Sequence, residues 1–153
     1  MFFSGLECIK ISDLSVFFSN EFSHKKKAAK QYIEIDKGNI LSEENIKKVQ
    51  SAHLIFIKTD CVYLFFKYFF NFLNDNIFII THNSDFSIDK TYEIFLNQHK
   101  IKRWYAQNTE CSHKKLITLP IGLCDSWVAN YPDYDIRMQI LKEIIDTKIK
   151  KKK

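Results

Sequence analysis

Apolar residues in this chain fall into short solid runs separated by longer amphipathic stretches. Residues 54–57 (LIFI) and 76–80 (NIFII) are the clearest runs. Runs of this length without polar alternation predict strands covered on both faces, as in a parallel sheet. Two further strands are predicted over residues 101–106 (IKRWYA) and 115–119 (KLITL). Partial alternation predicts a strand over 6–11 (LECIKI), and better alternation one over 32–36 (YIEID). Between these two, His24, Lys25, Lys26 and Lys27 read as a surface loop.

Helical spacing fills the intervals. Ser42 reads as an N-cap, with Glu43 and Glu44 against the positive helix end and Ile46 and Val49 inward. Thr59 or Asp60 is expected to cap a helix over 61–73, with Lys67, Asn71 and Asn74 as its polar stripe. Ile88, Tyr92, Phe95, Leu96 and His99 share one helical face. A last helix is predicted over 133–148, with Ile136, Met138, Ile140, Leu141, Ile144 and Ile145 inward. Strands alternating with helices predict an α/β fold, Rossmann-like, with a mostly parallel sheet and helices on both faces. With 153 residues, a single domain over 1–147 and a lysine-rich tail over 148–153 are expected.

Composition narrows the function classes. Three glycines cannot supply a glycine-rich phosphate loop. The net charge of +5 comes from Lys148, Lys150, Lys151, Lys152 and Lys153, so the body is neutral. Arg103 and Arg137 are the two arginines. Nucleic-acid partners lean on forked guanidiniums, so none is expected, and a small nuclease is disfavoured. The most apolar stretch, residues 61–73, contains Lys67 and is too short to span a bilayer. The four cysteines form no CxxC pair and the start shows no signal peptide, so a cytoplasmic setting is expected. Abundant Lys, Ile, Asn and Phe suit an AT-rich virus, protist or bacterium.

The chemistry-bearing residues follow the strands. Lys58-Thr59-Asp60, Thr81-His82-Asn83-Ser84-Asp85, Gln107-Asn108 and Pro120-Ile121-Gly122 each come after a predicted strand. In a parallel sheet all four emerge at one edge, where ligands of such sheets bind. Hydroxyls, amides, an imidazole and carboxylates on one wall suit a hydroxyl-rich ligand such as a sugar. Each cluster also has a structural reading as caps and turns. Cys111, His113 and Cys124 form a weak zinc pattern with no evident fourth ligand. Cys61, at a helix start, is a minor nucleophile candidate.

The same clusters carry a family resemblance. ITHNSDFSI (80–88), RWYAQN (103–108) and HKKLITLPIGL (113–123) resemble, in order, motifs of the exostosin-like glycosyltransferase-type proteins of giant viruses and some protists. The similarity spans about residues 54–123. It implies the N-terminal, acceptor-side lobe of a two-lobed enzyme, and for a viral protein the host cytoplasm. The nucleotide-sugar lobe is expected after the final helix, where this chain ends in KIKKKK. No cofactor of this lobe's own is therefore implied; a nucleotide-sugar donor belongs to a two-lobed form. The implied partners are a saccharide acceptor and a second lobe or oligomer partner.

Sugar transfer requires the acceptor hydroxyl to lose a proton. His82 and Asp85 are the side chains in their loop able to take it. Asn83, Ser84, Gln107 and Asn108 are the expected hydrogen-bonding groups for the acceptor, with Pro120 and Gly122 shaping a turn beside it. The structural alternatives are that Asp85 caps a helix near Ser87, His82 bonds backbone, and Trp104 is core rather than a stacking platform. A non-catalytic saccharide-binding or protein-interaction domain of the same fold is the competing reading.

Overall fold

The computed structural model describes residues 5–119. The expected final helix, Pro120, Gly122, Cys124 and the lysine tail lie outside them. Eleven elements organise the described part, in the order α1 (Gly5–Ile11), β1 (Leu14–Phe17), α2 (Ser23–Ala28), β2 (Tyr32–Glu34), α3 (Glu43–Ser51), β3 (Leu54–Lys58), α4 (Val62–Phe69), β4 (Ile77–His82), α5 (Glu93–Leu96), β5 (Ile101–Ala106) and β6 (Leu116–Thr118). The six strands form one sheet in the order β2-β1-β3-β4-β5-β6, and every pairing is parallel. The α/β, Rossmann-like reading is therefore correct. The chain reverses direction across the sheet between β1 and β3, then adds β4, β5 and β6 outward in sequence.

Strand alternation sends side chains to two faces. Leu14, Val16, Ile55, Ile57, Ile77, Ile79, Trp104 and Ala106 face a large core. That core is completed by Val49 of α3, by Val62, Phe65, Phe66 and Phe69 of α4, and by Leu96 of α5. Phe17, Phe56 and Ile80 face the other way, into a smaller core with Cys8 and Ile9 of α1. Ser42 caps α3 as expected, its Oγ accepting the Asn45 N–H at 3.2 Å. The Glu43–Lys47 and Glu44–Lys48 pairs lie one turn apart on α3. The expected stripe of Lys67, Asn71 and Asn74 is exposed.

Several local expectations are corrected. Residues 6–11 form helix α1, not a strand. Gly5, Cys8 and Ile9 are buried, the i, i+3, i+4 spacing of one helical face. The lysine run is α2 rather than a surface loop, with Lys25 buried. Neither Thr59 nor Asp60 caps α4 through its side chain; residues Thr59–Cys61 form a 3-10 turn that leads into it. The helix after β4 begins later and is shorter than expected. Asp89, not Asp85, caps its first turn, accepting the Thr91 N–H at 2.8 Å. His99 lies beyond α5, exposed, 3.0 Å from the Asp75 carboxylate. No helix among the described residues is long and apolar enough to cross a membrane.

Candidate functional site

Parallel strands bring the polar clusters to one edge. Lys58 ends β3 and lies beside His82, which ends β4, as its register partner. Thr59 Oγ1 donates to the His82 carbonyl at 3.5 Å. Gln107 follows β5, and its N–H bonds the Thr81 carbonyl at 3.0 Å. Two side-chain bonds then lock the loops after β4 and β5 together. Gln107 Oε1 accepts the Asn83 N–H at 3.0 Å, and Asn108 Nδ2 donates to the Ser84 carbonyl at 3.0 Å. Beyond β6, the Leu119 N–H reaches the Ala106 carbonyl at 2.7 Å, so the chain leaves the described region beside Gln107.

His82 is not a loop residue. It is the last residue of β4 and is buried. Its Nδ1 sits 2.9 Å from both the Asn83 N–H nitrogen and Asn83 Oδ1. With the proton on Nε2, Nδ1 accepts the backbone N–H. With the proton on Nδ1, it donates to Oδ1, and the ring's lone pair lies on Nε2, an atom shielded from solvent. Asn83 has a left-handed backbone, φ 65°, which asparagine tolerates better than most residues. Its Nδ2 is shielded from solvent and without a hydrogen-bond partner. Gly5 at the start of α1 lies against this amide, and a Cβ there would come within 1.8 Å of Asn83 Oδ1. Ser84 Oγ accepts the Phe86 N–H at 3.1 Å, a local turn bond. Asp85 is exposed.

A second polar group occupies the same edge between β1 and β3, where the strand order reverses. Glu21, with its side chain only 4% exposed, lies 3.2 Å from Lys25 and 3.6 Å from Lys58. Lys58 also reaches Asp60 at 3.0 Å. Lys26 joins Glu34 to the Ser19 carbonyl, and Asp36 accepts both the N–H and Oγ of Ser19. The crevice is thus occupied by its own ion network. Sequence reading missed Glu21; only the recognition of β1 makes it visible as a residue of this edge.

Burial pushes the Glu21 carboxyl up, but the Phe22 N–H and the Lys25 ammonium outweigh it and hold it below its ordinary 4.5. The Lys26 and Lys37 hydrogen bonds lower Glu34 likewise. A carboxyl lowered on folding stabilises the fold above its unfolded value and loses that contribution as pH falls through the folded one. The denaturation midpoint is therefore expected to hold from neutrality to about pH 5 and to fall below about pH 4. Glu21→Gln should flatten that fall; a midpoint at pH 3 equal to that at pH 6 would show that the network contributes nothing.

The remaining candidates separate cleanly. Trp104 is core: it is fully buried, its Nε1 donates to Thr81 Oγ1 at 3.0 Å, and it packs edge-on to Phe66 and Tyr92. Cys61 is no activated nucleophile, because burial pushes its thiol up to about 12. Of the zinc pattern, Cys111 bonds the Ile88 carbonyl and His113 the Asn97 amide and Lys115 N–H. No group of three His, Cys, Asp or Glu residues is placed to hold a metal ion among the described residues. An open groove of about 580 Å3 runs along the outer edge of β2, lined by Tyr32, Glu34, Asn39, Ser42 and Lys48, away from His82 and Asn108. No family model, curated protein or solved structure matches the chain.

Proposed function

We propose that this domain is a glycosyltransferase-like acceptor lobe that holds a saccharide hydroxyl over the C-terminal edge of β4 and β5. The observation that carries the reading is the hydrogen-bonded union of the His82–Asp85 segment with Gln107 and Asn108 at that edge. The union fixes two chain-distant loops as one polar rim. Asp85 is the exposed carboxylate on the rim, able to accept a hydrogen bond from a sugar hydroxyl. His82, three residues earlier, is buried. In the tautomer that donates from Nδ1 to Asn83 Oδ1, Nε2 of His82 is the basic ring atom, and because it is shielded from solvent an acceptor hydroxyl would reach it only by displacing the rim above it. A nucleotide-sugar would be brought by a second lobe, and its sugar carbon would form the new bond as the nucleotide leaves.

The competing reading is a saccharide-binding domain without transfer chemistry. The burial of His82 favours it, as does the engagement of Gln107 and Asn108 with backbone groups rather than open space. Both readings share a binding step, so calorimetric titration of the full chain with mono- and disaccharides is the first test. Binding is expected with a dissociation constant of about 1 mM or tighter. Asp85→Asn should weaken it about tenfold while leaving stability within about 0.5 kcal/mol, as an exposed site. His82→Ala should lower stability as well as binding, because a buried ring is removed. No saccharide binding, or binding indifferent to Asp85→Asn, would sink both readings. Saccharide binding without nucleotide-sugar turnover by the chain joined to its donor lobe would select the second.

A further inference from the structure

Strand β2 pairs with β1 alone and ends the strand order. In a parallel ladder the backbone groups of successive residues point alternately to the two sides. The Ser15 N–H donates to the Gln31 carbonyl at 2.9 Å, and the Ile35 N–H to the Phe17 carbonyl at 2.8 Å. Gln31, Ile33 and Ile35 therefore turn their backbone groups to β1, and Tyr32 and Glu34 turn theirs outward. The Glu34 carbonyl accepts the Lys37 N–H at 3.3 Å. The Tyr32 N–H, the Tyr32 carbonyl and the Glu34 N–H have no partner among the described residues. They open onto the groove of about 580 Å3, a size within the roughly 300–1,000 Å3 of ligand clefts. Its other wall is built by Asn39, Ser42, Glu44, Asn45 and Lys48, from the loop before α3 and the first turns of that helix.

We propose that this groove takes up an extended, acidic peptide of a partner protein, which adds to β2 as a further strand. Strand addition needs an unpaired edge with room beside it, and the two coincide here. The outward groups of Tyr32 and Glu34 lie about 7 Å apart, so a peptide of three or more extended residues can bond all three. Charge selects the acidic character. Lys30, Lys37 and Lys48 line the groove against Glu34 and Glu44, and Glu34 already holds both Lys26 and Lys37. Lys30, its side chain half exposed, is 3.8 Å from Asp13 and is left to meet a carboxylate on the peptide. Tyr32, 39% exposed, offers its ring to a cross-strand neighbour. A second copy of this chain fits less well. An edge-to-edge pair of β2 strands, about 4.8 Å apart, would bring two α3 walls into the same space, whereas packed helix axes need about 8–10 Å.

The test is amide hydrogen exchange on the full chain, with a synthetic octapeptide of alternating Glu and Val or Thr as the probe. With peptide in excess, the Tyr32 and Glu34 amides should exchange at least about tenfold more slowly, while Ile33, already bonded to β1, is unchanged. The fully N-methylated peptide, which has no donors, should not bind. Replacing the peptide's Glu by Lys should weaken binding about tenfold, and Lys30→Glu/Lys48→Glu should reverse that preference. Tyr32→Pro removes an outward donor at an edge position that accepts proline, and should abolish binding with the fold retained. Exchange at Tyr32 and Glu34 indifferent to the acidic peptide, or equal binding of the methylated one, would overturn the proposal. So would protection of these two amides in the free chain where sedimentation equilibrium finds a dimer, because the edge then belongs to a second copy.

Discussion

Trp104→Ala is expected to cost about 3–5 kcal/mol, a large share of the roughly 5–15 kcal/mol that holds a domain of this size together. Three losses combine. The side chain is fully buried on the central part of the sheet, so its removal leaves a cavity bounded by close-packed rings. Its edge-on contacts with Phe66 at 5.3 Å and Tyr92 at 5.7 Å disappear. Thr81 Oγ1, itself buried, loses the indole donor. Trp104→Phe should recover part of the packing but not the hydrogen bond. Phe86→Ala, at a side chain 68% exposed, is the control and should stay within about 0.5 kcal/mol. Urea midpoints measured in parallel decide it. A Trp104→Ala midpoint matching that of Phe86→Ala would mean that the core does not depend on this ring.

The second large effect lies where α1 begins. Gly5→Ala puts a methyl carbon 1.8 Å from Asn83 Oδ1 and 2.4 Å from its Cγ, far inside contact distance. Either α1 lifts from the sheet or the Asn83 amide swings away from His82 Nδ1. The expected destabilisation is about 1–3 kcal/mol, the range for overpacking a filled site. Asn83→Gly removes the obstacle, and glycine accepts the φ of 65° without strain. The double substitution should therefore be less damaging than the sum of the two singles, with a coupling of at least about 0.5 kcal/mol. Strict additivity in a denaturation cycle would show that Gly5 and Asn83 do not touch in solution.

How much of this could be read from residues alone depended on the physics of each segment. Strands β3 and β4 were legible because LIFI and NIFII are solid apolar runs too short for a helix, and β5 and β6 because IKRWYA and KLITL are short, β-branched or aromatic stretches that recur at the same interval. Ser42 was legible because a cap is a local hydrogen bond between near neighbours. Strand β1 was not, because LSVF is four residues long and hides a buried serine among its apolar positions. Helix α1 was misread because six residues with apolar positions at 6, 8, 9 and 11 fit both periods. Helix α2 was misread because a lysine run normally faces water. Here Glu21, almost wholly buried, holds Lys25 inward, a tertiary effect without a local signal.

The site divides in the same way. That Lys58–Asp60, His82–Asp85 and Gln107–Asn108 share an edge needs only parallel strands, and the pattern supplied that. Whether His82 stands in the loop or in the strand depends on where β4 ends, and an all-apolar run gives no alternation to mark it. The same gap hid the left-handed turn at Asn83. The polar contacts at the β1–β3 crevice were invisible for a different reason: they link residues 21, 25, 58 and 60 in one group and 19, 26, 34 and 36 in another, and most of their positions follow from β1.

The strand order has a consequence for how the chain assembles. From β4 onward each new strand pairs with the one synthesised just before it, on its outer side. Among the described strands, none translated later must be threaded between two already joined. A ribosome releasing this protein can thus have β2-β1-β3 zipped before β4 emerges, and can extend the sheet one ribbon at a time. Among the described strands, the last-made ribbon, β6, is then the first to detach when the domain is pulled from its C-terminal side.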